Sequence, residues 1–105
     1  MKITIEVSDE LIKSAIISGA ENWMTRAWAT NIRYGKGGNV FALSLTEQET
    51  GKHFELHPGH SWHTALQLMA VKNPYQFGLV LSGKGDAITG DVLIQFATLG
   101  EEKYG

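Results

Sequence analysis

The sequence predicts an α+β domain with an antiparallel sheet of three to four strands, in the order βαβββ followed by two to three helices, the helices packed on one face. Three observations lead there. Apolar residues alternate at Ile3, Ile5 and Val7 and again between Trp28 and Leu56; the links within that second stretch are too short for a parallel crossover; and after Pro58-Gly59 the apolar spacing becomes helical.

Thr4 and Glu6, interleaved with the β-branched residues at 3, 5 and 7, predict a first strand with one face on a core. Ser8 then serves as a helix N-cap, and Asp9 and Glu10 bring negative charge to the first turn. Leu11, Ile12, Ala15 and Ile16 recur at helical spacing, so a helix is predicted from about residue 9 to 18, closed by Gly19 in a left-handed conformation. The next stretch, ENWMTRA at 21–27, fits neither period and is read as irregular. Trp28, Thr30, Ile32 and Tyr34 alternate in a second strand, and the glycines of GKGGN supply a turn. A third strand carries Phe41, Leu43 and Leu45, and a polar turn at 47–51 leads to a short fourth strand, His53 to Leu56.

Trp62, Ala65, Leu66 and Met69 lie at i, i+3, i+4 and i+7 of a helix that Asn73-Pro74 stops. The segment PYQFGLVLS is read as another short helix begun by its proline, in preference to an extended buried piece. Asp86 caps the last helix, whose Ile88, Val92, Leu93, Phe96, Ala97 and Leu99 cover more than half its circumference before Gly100 ends it. Such a helix belongs at the centre of the core.

At 105 residues the chain is read as one domain, 1–105, able to bury roughly two-thirds of the surface its unfolded form exposes. With 43% apolar and 19% charged residues it has the composition of a soluble globule. The net charge is -2 and the nine Lys and Arg are scattered, which excludes generic nucleic-acid binding. Without cysteine there is no disulfide, thiolate nucleophile or thiolate zinc site. The apolar runs are too short for a membrane span and the first residues lack a signal-peptide pattern, so a cytoplasmic protein is expected.

Three histidines, His57, His60 and His63, recur at three-residue intervals in HPGHSWH. His60 and His63 share a helix face, and a metal held by all three is one reading, which would make a small metal-dependent hydrolase. Against it stand the missing HExxH pair and general base, and the favoured reading is polar residues at a helix start, with no metal and no cofactor. The serines sit in no GxSxG elbow. Glycine-rich GKGGN and SGKGD match no phosphate-loop pattern and are read as turns, Asp86 repelling any phosphate at the helix it caps.

Asp91 and Gln95 stand one turn apart on the apolar last helix. A buried carboxylate needs a partner, expected to be Arg26, Arg33, a histidine or another chain. Of Trp23, Trp28 and Trp62, one or two belong to the core, and an exposed one marks an interface or a stacking platform. The candidate partner-binding residues are therefore Trp23, Arg26, Trp28, His60, His63 and Asp91, and none is assigned a catalytic role.

GAENW at 19–23, HTALQLMA at 63–70 and above all DAITGDVLIQFATLGEEKYG at 86–105 resemble small proteins encoded in bacteriophage and prophage genomes. That resemblance implies a non-enzymatic phage or prophage accessory protein that acts by binding inside the bacterial host cell. Its expected partner is a host or defence-system protein, as in inhibition of CRISPR–Cas or of a nucleotide-signalled defence, or a signalling nucleotide itself. A phage structural or assembly component is a further alternative. Homo-oligomers by pairing of the edge strand at 2–7 or at 52–56 are compatible with each.

Overall fold

The computed structural model describes residues 6–105. The helices are α1 (Asp9–Ala20), α2 (Trp23–Arg26), α3 (His60–Lys72), α4 (Pro74–Ser82) and α5 (Ala87–Thr98), and the strands β1 (Ala29–Gly35), β2 (Asn39–Glu47) and β3 (His53–Glu55). The strands form one antiparallel sheet in the order β1-β2-β3, which makes the architecture α+β. The strand predicted at 3–7 falls largely outside the described residues.

Helix α5 is the hub, packed against α1, α2, α3 and α4. Its Val92, Leu93, Ile94 and Phe96 are buried with Ile12 and Ile16 of α1, Trp62 and Met69 of α3, and Leu43 and Leu45 of β2. Asp86 caps it as predicted, its Oδ1 accepting from the N–H groups of Ile88 and Thr89 while the Thr89 hydroxyl accepts from the Asp86 N–H. The Ile88 and Thr89 amides at this helix start are thus taken by Asp86 itself, and SGKGD runs from the last residue of α4 through its left-handed cap Gly83 to the N-cap of α5.

Ser8 caps α1, as predicted, through a bond from the Leu11 N–H. The helix nevertheless continues past Gly19 to Ala20. Gly19 is not a left-handed terminator; its missing side chain is what lets α1 lie directly on α5, where an added Cβ would sit 2.4 Å from the carbonyl carbon of Gly90.

The alternation read through 28–34 is also broken. Ala29 stands opposite Glu47 and Thr30 opposite Thr46, but Arg33 stands opposite Ser44, so β1 carries one extra residue there. Asn31 absorbs it with φ 54°, a left-handed conformation that asparagine tolerates better than most residues. The bulge shifts the face: Thr30 and Arg33 are exposed, and Ile32 and Tyr34 pack on the core. ENWMTRA, read as irregular, holds the short helix α2, whose N-cap Asn22 accepts from the Met24 N–H at 3.1 Å.

Candidate functional site

Two polar constructions meet at α5. The first is centred on Asp91, 3% exposed. Its Oδ1 accepts from the Thr25 hydroxyl at 2.8 Å and from the Trp28 indole N–H at 2.8 Å, and its Oδ2 accepts from the Gln95 amide at 2.8 Å. No arginine or histidine is involved, contrary to the expectation of a charged partner: neutral donors from the same chain satisfy both oxygens. Thr25 and Trp28 flank the end of α2, so a single carboxyl group ties that short helix to the core at two points. Trp28 and Asp91, singled out as binding candidates, are both buried.

The short helix so tied carries Trp23. Its indole is 73% exposed at the start of α2, with Arg26 exposed one turn on and sharing its side of the helix. Beside them lies a cleft of about 70 Å³ lined by Ala20, Glu21, Arg26, Ile32 and Tyr34. Across it the Tyr34 hydroxyl donates to Glu21 Oε2 at 2.7 Å. Burial first, and then the Glu21 carboxylate, push the Tyr34 hydroxyl up to about 12. The third tryptophan, Trp62, is buried and donates to the Phe41 carbonyl at 2.8 Å.

The second construction was not anticipated. Glu47, placed by its sequence context in a polar turn, ends β2 with its side chain on the same face as Leu43 and Leu45, and is 3% exposed. Its Oε2 accepts from the Tyr104 hydroxyl at 2.5 Å and from Lys103 Nζ at 2.9 Å, and its Oε1 accepts from the Thr50 hydroxyl at 2.7 Å. Tyr104 also stacks on Trp28, ring centroids 5.4 Å apart and planes 10° from parallel. The available signal was the continuation of the 43, 45 alternation to 47.

His57, His60 and His63 are exposed, because Trp62, Ala65, Leu66 and Met69 take the inner side of α3. Among the described residues no three His, Asp or Glu side chains are placed to hold one metal ion, so the convergence that the hydrolase reading requires is not found. His53 and Glu55 approach at 3.4 Å on β3, both largely solvated.

Comparison with protein-family models, curated proteins and solved structures finds no match. No helix among the described residues is long and apolar enough to cross a membrane. The α2 face offers an aromatic ring and a cation on a rigidly tethered support, an arrangement suited to contact.

The Glu47 cluster has a pH signature. The Tyr104, Thr50 and Lys103 donors, in that order of weight, lower the Glu47 carboxyl to about 2 from 4.5, so its contribution to stability is complete above about pH 4.5 and lost as the pH falls toward 2. The same contact raises the Tyr104 hydroxyl to about 12 from 10.0, giving a contribution complete below pH 10 and lost as the pH rises toward 12. Urea midpoints measured across these two windows are expected to fall at both ends, and Tyr104→Phe is expected to reduce the alkaline fall to the part that Tyr34 contributes in the same window. An unchanged alkaline limb in that variant would show that the hydroxyl is not the group responsible.

Proposed function

We propose that this protein acts by binding a protein of a bacterial host cell, with Trp23 and Arg26 on α2 as its anchor, and that the consequence is inhibition of a defence system. The observation that carries this is the exposure of Trp23 on a helix held by two buried bonds to Asp91. Tryptophan and arginine are the residues most enriched among interface hot spots, and an anchor held in its bound position before binding loses little entropy on association.

A protein is favoured over a signalling nucleotide because the cleft beside α2, about 70 Å³, is well below the roughly 300–1,000 Å³ of small-molecule sites. The resemblance to phage-encoded proteins supports a host defence component, CRISPR–Cas or nucleotide-signalled, as the target, and the bacterial cytoplasm as the place of action.

Expression in cells that restrict a phage through such a system is expected to restore plaque formation, and Trp23→Ala is expected to remove that effect. Truncating a hot-spot tryptophan weakens binding by at least about 2 kcal/mol, roughly thirtyfold. As an exposed residue, Trp23 should change unfolding stability by no more than about 0.5 kcal/mol. Equal plaque formation with both forms, at equal expression, would remove the α2 face from consideration.

A further inference from the structure

We infer that Trp28, Glu47 and Gln95 form a recognition site for a Lys-Tyr peptide, filled here by the chain's own residues 103 and 104. Gln95 is fully buried and its side chain reads peptide backbone: Oε1 accepts from the N–H groups of Lys103 and Tyr104, both at 2.8 Å, and Nε2 donates to the Tyr104 carbonyl at 2.9 Å. One amide oxygen that accepts from two successive N–H groups requires a turned backbone at that point, since in an extended segment they face opposite ways, and it imposes no choice of side chain. Side-chain selection comes from the other walls. The Trp28 ring stacks on the tyrosine; Glu47 accepts from its hydroxyl and from the lysine ammonium, and Glu49 accepts a second bond from the hydroxyl at 3.0 Å.

Each principal wall is held by a partner that is not part of the 103–104 segment. Gln95 and Trp28 are fixed by Asp91, and Glu47 by the Thr50 hydroxyl on the turn after β2. Withdrawal of the segment therefore leaves an ordered site whose buried polar atoms lack their partners, the condition under which a matching peptide is captured. Tethering gives the chain's own segment an effective concentration on the order of millimolar, so a free peptide competes only when that segment has been disabled.

The full chain carrying Lys103→Pro and Tyr104→Pro together lacks both side chains and both N–H groups that Gln95 accepts from, and so presents the site empty. Titrated with a capped GEEKYG peptide, it is expected to show saturable change in tryptophan fluorescence and a rise in melting temperature. Replacing the peptide's tyrosine by phenylalanine should weaken binding by about tenfold, and by alanine should abolish it. Adding Trp23→Ala should leave peptide binding unchanged, which separates this site from the α2 face. Absence of saturation up to about millimolar peptide, or equal binding of the alanine peptide, would overturn the assignment. Should the double variant not fold, hydrogen exchange on the unaltered chain decides. Lys103 and Tyr104 amides exchanging faster than those of α5 support a separable occupant, and protection equal to that of α5 overturns it.

Discussion

Gly19→Ala is expected to lower the melting temperature by at least about 10 °C, although alanine is the better helix former. In an open helix the exchange would stabilise by about 1 kcal/mol. Here the new Cβ would lie 2.4 Å from the Gly90 carbonyl carbon, 2.6 Å from its oxygen and 2.7 Å from the Asp91 nitrogen. These are backbone atoms, which no rotamer change moves aside, so α1 and α5 must part along the most extensively packed helix pair. Overpacking of this kind costs about 3 kcal/mol or more, which outweighs propensity and corresponds to roughly 4–8 °C per kcal/mol in a domain of this size. Gly90→Ala meets the same obstacle from the other side, its Cβ 2.3 Å from the Ala15 carbonyl oxygen. Thermal melts followed by circular dichroism test both; an unchanged midpoint for either would mean that the helices do not touch there.

Asp91→Ala is expected to leave the chain largely unfolded at 37 °C. The substitution orphans the Thr25 hydroxyl, the Trp28 indole N–H and one Gln95 amide hydrogen, all in the interior. Each buried donor without an acceptor costs about 1–3 kcal/mol, and together they approach the total of about 5–15 kcal/mol that stabilises a typical domain. Asp91→Asn is the informative companion. Its carbonyl oxygen still accepts from Thr25 and Trp28, while its amide opposes that of Gln95, so the loss should be nearer that of a single unmet bond. Urea denaturation ranks the two. If Asp91→Ala matched the unaltered protein, the tethering of α2 would not stand, and with it the reason for treating Trp23 as a preset anchor.

The elements with plain periodicity were legible before any coordinates. The helices at 60–72 and 87–98 follow from apolar spacing and from the Asp86 cap, and the short helix at 74–82 from its leading proline. What escaped was governed by contacts distant in sequence. Gly19 looks like a terminator because glycine usually earns its place by φ, whereas here it does so by close approach to a helix seventy residues on. The exchange of faces at Asn31 needs one extra residue opposite β2, which alternation within β1 alone does not reveal. Asp91 was recognised as needing a partner, but its partners are neutral, and one of them, Thr25, lies in a segment with no clear period. Glu47 was hidden by the polar residues around it, although its spacing from Leu45 pointed inward.

The extra residue at Asn31 bears on how the protein behaves when concentrated. Among the described residues β1 is an outer strand of the sheet, with peptide groups that would otherwise template another molecule's strand. A left-handed residue in its middle puts those groups out of step, so an incoming chain gains only short runs of matched bonds on either side. Self-propagating cross-β growth is thereby discouraged along that flank, and Asn31→Val, which strains the kink and favours a straight strand, is the substitution most apt to restore it.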